Sequence, residues 1–182
     1  MRRTVSAALL AFSVALLGCG SSGDEDDAPP PPPAGAVTPA PQPVPPAGAV
    51  PVRVQTVQRS VLRGGYTLLL RHDATNRTLP ILIGDAEGAV IERRLAGQRF
   101  DRPLTHDLLD NLVRTLGGQV VQVEIHSLQN NVFIGYVHVW DGQRVHEIDS
   151  RSSDAVAIAV GNHVPIYVSE QVLNQAAVNS YR

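Results

Sequence analysis

Ionisable residues are concentrated in two short segments of this 182-residue chain. The first, 102–109, reads RPLTHDLL, and the second, 148–157, reads IDSRSSDAVA. Their charged or titratable members are Arg102, His106, Asp107, Asp149, Arg151 and Asp154. Each segment lies where a predicted helix begins, so backbone N–H groups and a positive dipole end would suit anion or phosphate chemistry. Thr105, Ser152 and Ser153 also fit a plainer interpretation as helix-capping residues.

The N-terminal region predicts export and a lipid anchor. Residues 1–18 contain two arginines followed by an apolar run, which is typical of a lipoprotein signal peptide. The run is too short for a comfortable membrane span. The sequence LLGC at 16–19 resembles a bacterial lipobox, which predicts lipidation of Cys19 and attachment to a membrane of the cell envelope. No Asp follows Cys19, which favours the outer membrane in a cell with two membranes. The alternatives are plain secretion and an uncleaved anchor.

Residues 19–51 follow the signal and predict a tether. They are acidic at 24–27 and then rich in Pro and Ala, with five consecutive prolines at 29–33. Such a composition cannot build a core and favours an extended, partly polyproline II chain. The folded part of the protein is therefore predicted as one domain, 52–182.

Composition excludes several classes of chemistry. A single cysteine excludes an intrachain disulfide and a cysteine-cluster metal site. The absence of lysine excludes Schiff-base catalysis and a phosphate-loop lysine. Within 52–182, thirteen arginines balance thirteen acidic residues, so no basic field indicates nucleic-acid binding.

Hydrophobic periodicity and turn residues predict an α+β domain. The predicted strands are 52–57, 66–71, 78–83, 120–128, 132–140, 144–149 and 165–168, and the predicted helices are 85–95, 105–116, 153–160 and 169–177. Short turns at 130–131 and 141–142 predict a three-stranded antiparallel meander. The expected fold is a mixed, largely antiparallel sheet covered by three to four helices, and the exposed edge of the meander allows a homo-oligomer.

Helical spacing also predicts which side chains face the core. The apolar residues of the first two helices expected to face inward are Ala86, Ala89, Val90, Leu95, Leu108, Leu109, Leu112, Val113 and Leu116. Asp107, Asp110 and Arg114 lie three and four residues apart, which predicts ion pairs on the surface of the second helix.

Polar residues alternate along one predicted strand. Gln122, Glu124 and His126 share one side of that strand, and His138 lies on the next strand. The pattern favours a solvated sheet face, with a metal site as the alternative.

Several motifs in one order support a family resemblance. They are LPILIG at 79–84 with Glu87, the segments 102–109 and 148–155, and PIYV at 165–168. In these motifs the chain, over roughly 52–173, resembles the bifunctional nuclease domain family. The resemblance implies an α+β domain and hydrolysis of DNA and RNA. The motif residues that it carries over are Glu87, Arg102, His106, Asp107, Asp149, Arg151 and Asp154.

These residues give a specific functional hypothesis. We expect a metal-dependent nuclease in which Asp149, Asp154 and Glu87 hold Mg²⁺ or Mn²⁺ or act as bases. Arg151 and Arg102 would bind the phosphates of a DNA or RNA substrate, and His106 would act as acid or base. The alternatives are a non-catalytic envelope module that binds an anionic ligand or protein partner, and a structural domain in which Arg151 pairs with Asp149 or Asp154.

Overall fold

Eight strands form one mixed sheet in the part of the chain that the structure describes. The structure, a computed structural model, describes residues 39–60, 64–98 and 101–179. The strands are β1 Ala49–Arg59, β2 Tyr66–His72, β3 Arg77–Ile83, β4 Gln119–Gln129, β5 Val132–Trp140, β6 Val145–Arg151, β7 Ile166–Ser169 and β8 Val178–Asn179. Their order is β6-β5-β4-β7-β1-β2-β3-β8, and only β4 and β7 pair in parallel. The predicted α+β fold is therefore confirmed.

The predicted meander is formed by β4, β5 and β6. Asn130 and Asn131 connect the first two strands with left-handed φ values of 48° and 64°. Gly142, with φ 99°, lies in the second turn. These conformations are the ones that Asn and Gly tolerate best, which is why the two turns could be read from the sequence.

Strand β1 joins the two halves of the sheet. Its first residues, 49–52, pair with β7, and its remaining residues, 53–59, pair with β2. The strand begins three residues earlier than predicted, so it includes the end of the segment expected to be a tether. Cys19, the predicted signal and the tether as far as residue 38 lie outside the described residues. The described residues all lie within one compact unit of the chain, 36–182.

Four helices accompany the sheet in the described residues. They are α1 Asp85–Leu95, α2 Thr105–Thr115, α3 Ser152–Asn162 and α4 Glu170–Ala176. Helix α3 packs on β4 and β5, α1 packs on β1 and β2, and both helices pack on each other. Helix α2 lies against α3. None of the helices in the described part of the chain is long and apolar enough to cross a membrane.

The core lies between the sheet and these helices. Its largest fully buried side chains are Leu68, Leu70, Leu79, Ile91, Ile125, Leu173, Val123, Val156, Val168 and Val172. Helix α3 approaches β5 closely because Gly135 lies beneath its first turn, where an added Cβ would lie 3.2 Å from the Cα of Ser152. This approach places the start of α3 directly on the sheet.

The predicted inward faces of α1 and α2 are partly wrong. Ala86 and Leu95 are exposed, whereas Ile91 is fully buried. In α2 the error is larger, because the leucines expected in the core are exposed: Leu108, Leu109, Leu112 and Leu116. The buried residues of α2 are His106 and Asp110. Polar contacts, described below, hold this side of the helix against the domain.

Candidate active site

Three helices begin beside one another, and each contributes an ionisable side chain to one cluster. Glu87 is the third residue of α1, His106 the second residue of α2 and Asp154 the third residue of α3. Arg151 ends β6 and is the N-cap residue of α3. We refer to Glu87, His106, Arg151 and Asp154 as the Arg151 cluster. It unites four of the five residues that the sequence nominated for catalysis.

The guanidinium of Arg151 connects the two carboxylates of the cluster. Its Nε lies 2.7 Å from Oδ2 of Asp154, and its Nη2 lies 3.0 Å from Oδ1 of the same residue. Nη2 also lies 2.8 Å from Oε1 of Glu87. The pairing with Asp154 is therefore bidentate, the geometry in which Arg and carboxylate interact most strongly.

His106 extends the cluster into the protein. Its Nε2 lies 3.0 Å from Oδ1 of Asp154, and the imidazole is mostly buried. The Arg151 side chain is 66% exposed, whereas those of Glu87 and Asp154 are mostly covered. A molecule arriving from solvent therefore meets the guanidinium first, with the carboxylates and the imidazole behind it.

Hydrogen bonding keeps the central carboxylate ionised. Burial would raise the pKa of Asp154, but the hydrogen bonds from Arg151 and His106 outweigh it and lower the pKa below its ordinary value. The hydrogen bond to Asp154 in turn raises the pKa of Arg151. At neutral pH the site thus contains a fixed guanidinium beside ionised Asp154, near the positive dipole ends of three helices.

A second polar network fixes the orientation of α2. The buried Arg94, on α1, donates from Nη2 to Asp107 at 2.7 Å and to Asp110 at 2.8 Å, and from Nη1 to the carbonyl of Ala157 at 2.7 Å. Asn162 on α3 donates to the other oxygen of Asp110 at 2.8 Å. The prediction that Asp107, Asp110 and Arg114 form ion pairs on the helix surface is therefore wrong, because both carboxylates contact Arg94 instead. This network explains why the polar side of α2 faces the domain.

The N-cap residues of α2 and α3 each lie one position earlier in the chain than predicted. Helix α2 begins after Leu104 rather than with Thr105 as the cap, and α3 begins after Arg151 rather than with a capping serine. The backbone N–H of Leu104 donates to Asp107 at 3.0 Å. Burial would raise the pKa of Asp107, but the bonds from Leu104 and Arg94 lower it. The motif residue Asp107 therefore belongs to the Arg94 network and the helix start.

Two predicted site residues form no ion pair or hydrogen bond with the Arg151 cluster. Asp149 is exposed on β6 opposite Tyr136, and Arg102 is exposed in the connection before α2. Neither makes a side-chain ion pair or hydrogen bond within the described residues. The structure thus does not bring Asp149 to Glu87 and Asp154 as a set of three metal ligands.

The donor set does not fit a divalent metal as it is arranged. In the described ranges, no three His, Cys, Asp or Glu side chains lie close enough to hold an ion together. Glu87 and Asp154 both contact the Arg151 guanidinium, which stands where a cation shared by the two carboxylates would be. An ion bound by both would have to displace this guanidinium.

The polar set on β4 and β5 is buried except for His126, whose side chain is 53% exposed, so its interpretation as a solvated sheet face is wrong for three of the four residues. Gln122, Glu124 and His138 are each nearly inaccessible, and the backbone N–H of Val44 donates to Gln122 at 2.9 Å. Glu124 contacts His126 at 3.2 Å and lies 3.8 Å from Nε2 of His138. The N-terminal segment before β1 helps to cover this face.

Comparisons with known proteins agree with the motifs. Residues 68–180 match the model of the bifunctional nuclease domain family. Two uncharacterized proteins, from two strains of Mycobacterium tuberculosis, are each 40% identical to the chain over 127 residues. Each match covers 70% of this chain and 76% of the relative. The chain therefore belongs to the bifunctional nuclease domain family.

Proposed function

We propose that the Arg151 cluster hydrolyses phosphodiester bonds of DNA or RNA. The observation that carries the proposal is the pairing of the exposed Arg151 guanidinium with Glu87 and Asp154, with His106 held on the far carboxylate, Asp154. Hydrolysis of a phosphodiester needs a bound phosphate, a base for the attacking water and a proton for the leaving oxygen. The cluster offers a candidate for each of these tasks.

Arg151 is the candidate phosphate ligand. In the described residues its Nε and Nη2 groups are engaged by Asp154 and Glu87, and the two N–H groups on Nη1 remain for a phosphate oxygen. The bidentate contact with Asp154 holds the guanidinium plane in place before substrate arrives. Three helix starts at the same point add partial positive charge that favours an anion.

Glu87 is the better candidate for the base. Its carboxylate contacts one N–H group of Arg151, whereas Asp154 receives two from Arg151 and faces His106 as well. Glu87 therefore has more acceptor capacity left for a water proton. Asp154 positions Arg151 and His106, and His106 in its protonated form is the candidate donor to the leaving oxygen.

Metal dependence is a separate proposal. The resemblance implies Mg²⁺ or Mn²⁺, with Glu87, Asp154 and Asp149 as predicted ligands, and such an ion would supply charge neutralisation at the phosphate. Because the carboxylates contact Arg151 instead, we assign no step to an ion. A comparison of activity in Mg²⁺, Mn²⁺ and EDTA decides whether one is required.

A second candidate function is the binding of an anionic ligand or a protein partner without cleavage. The observation that favours it is charge balance: acidic and basic residues cancel over 52–182, so the domain lacks the field that attracts nucleic acid. The same Arg151 donors would then bind a phosphate or carboxylate of a smaller molecule.

The proposed setting is the cell envelope, with the domain attached through lipid on Cys19. The substrate would then be nucleic acid outside the cytoplasm. The test is Cys19→Ser in the full chain: we expect the protein to leave the membrane fraction. Retention of this variant in the membrane would contradict the lipid anchor and leave the proposed chemistry untouched.

The test of hydrolysis uses the compact unit 36–182, which contains the whole described core. The purified unit is incubated with plasmid DNA, single-stranded DNA and RNA, each in Mg²⁺, Mn²⁺ or EDTA. We expect cleavage of at least one substrate. A folded protein that cleaves none under any condition contradicts the proposal, and binding of inorganic phosphate by this inactive protein supports the second candidate.

A further inference from the structure

Helix α2 and its C-cap residue display a stripe of leucines that the described domain leaves largely exposed. Leu108, Leu109, Leu112 and Leu116 are 61%, 41%, 50% and 76% exposed. At 100° per residue these four positions fall within one third of the helix circumference. We refer to them as the α2 stripe. Leucines in such an arrangement ordinarily face a core.

The fold itself fixes this exposure. On the opposite side of the helix, Asp110 bonds to Arg94 and Asn162, and His106 bonds to Asp154. Turning the stripe inward would break these contacts and bring buried charges into solvent while leaving Arg94 unpaired. The leucines are therefore held outward by buried ion pairs, which are costly to break from one side.

The stripe is large enough for a protein contact. Its four side chains expose on the order of 400 Å² of apolar surface, a size at which patches on soluble proteins are often functional. Two stripes facing each other would bury about 800 Å², and the contact needs polar surface around the stripes to reach the roughly 1,200 Å² of small stable interfaces.

The charge of the surface favours a second copy of the chain. In a twofold contact the residues at the axis lie near their own equivalents, so like charges there would repel. The exposed neighbours of the stripe on α2 are Thr105, Asn111 and Thr115, which are neutral. Arg114 folds back onto the carbonyl of Asp110 and onto Asn111. A helix that lies on a lipid surface instead carries Lys or Arg beside its apolar side.

We propose that the α2 stripes of two copies pack against each other in a twofold dimer. The interface differs from edge-to-edge pairing of the meander, because it uses a helix on the outer side of α3. It also braces the helix that carries His106, so the Arg151 clusters of both copies lie next to the dimer contact. The proposal concerns association alone and does not depend on nuclease activity.

The test measures the mass of the 36–182 unit by sedimentation equilibrium over a range of concentrations. We expect a dimer for the wild type and at least a hundredfold weaker association for Leu112→Glu. The matched control is Leu82→Glu, since Leu82 is 56% exposed on β3 and lies outside the stripe. We expect this control to dimerise like the wild type. Circular dichroism verifies that each variant is folded.

Three results would overturn the proposal. A wild type that remains monomeric at its highest soluble concentration excludes the dimer, and a dimer unaffected by Leu112→Glu places the interface elsewhere. A monomer that binds phosphatidylcholine vesicles, and loses binding in Leu112→Glu, assigns the stripe to a lipid surface. A second substitution in the stripe, Leu108→Glu, is expected to reproduce the loss of association.

Discussion

Removal of the Arg94 side chain is the sharpest test of how α2 is held. Arg94 is 9% exposed and makes three hydrogen bonds of 2.7–2.8 Å, to Asp107, Asp110 and the carbonyl of Ala157. The substitution Arg94→Met keeps the apolar stem and removes the charge. Gly161 lies against the guanidinium, where an added Cβ would collide with Arg94, so the space around it is fitted to this side chain.

The expected loss of stability follows from the contacts that each partner of Arg94 loses. Asp107 keeps the N–H of Leu104 and is partly open to water, so its loss is modest. Asp110 is 8% exposed and keeps only Asn162 among the described residues, so a buried carboxylate is left without its cation. Breaking a buried ion pair from one side costs about 3–5 kcal/mol, and we expect this decrease in the free energy of unfolding.

The assay is urea unfolding of the 36–182 unit, followed by circular dichroism. The matched control is Arg59→Met, because Arg59 and Asp85 form an exposed pair at 3.3 Å, and such pairs contribute below about 1 kcal/mol. The double variant Arg94→Met/Asp110→Leu should recover much of the loss, since it removes both charges. If Arg94→Met costs no more than Arg59→Met, the buried network does not hold α2, and the explanation for the exposed leucines is wrong.

Three further predictions concern the site and its support. Folding lowers the pKa of Asp154. The stability that this ionised carboxylate contributes is complete above the ordinary Asp pKa of about 3.9 and is lost as the pH falls through the lower folded value. Asp154→Asn should flatten this loss of stability at acid pH in unfolding experiments, and an unchanged loss would contradict the assigned hydrogen bonds. Asp149→Asn should reduce cleavage less than Asp154→Asn, as Asp149 forms no ion pair or hydrogen bond with the cluster among the described residues; the reverse order of rates would move the site towards β6. Gly135→Val should lower the free energy of unfolding by about 1–3 kcal/mol, because the new side chain meets the start of α3; a neutral effect in urea titration would show that α3 can move away.

Local patterns in the sequence predicted most of the fold. Alternation identified the strands of the meander, and the left-handed conformations of Asn130, Asn131 and Gly142 account for its turns. The parallel pairing of β4 with β7 depends on contacts far apart in the chain. The two-residue strand β8 is too short to give a periodic signal.

The periodicity of apolar residues could not predict the orientation of α2. A 3.6-residue repeat shows which residues share a side of a helix, but the side that faces the domain depends on partners elsewhere. Here the partners are Arg94 and Asn162, on two other helices. The signal available in the sequence was an arginine near the end of α1, followed after a short connection by Asp107 and Asp110.

The site was predicted mainly through its motifs. They nominated Glu87, His106, Arg151 and Asp154, which meet although they lie on separate elements. Asp149 lies two residues before Arg151 on β6 and forms no ion pair or hydrogen bond with the cluster among the described residues, so its role stays a prediction. Strand pairing places it opposite Tyr136.

Paired substitutions in the cleavage assay decide whether the Arg151 cluster carries out hydrolysis. Arg151→Gln and Asp154→Asn are compared with Arg53→Gln and Asp73→Asn in the cleavage assay on 36–182. Arg53 is a close control, since it is 57% exposed and its Nε lies 2.7 Å from Asp73, as the Nε of Arg151 does from Asp154. We predict a loss of about a hundredfold or more in both cluster variants and wild-type rates in both controls. Cleavage by folded Arg151→Gln and Asp154→Asn at the wild-type rate would contradict hydrolysis by the cluster.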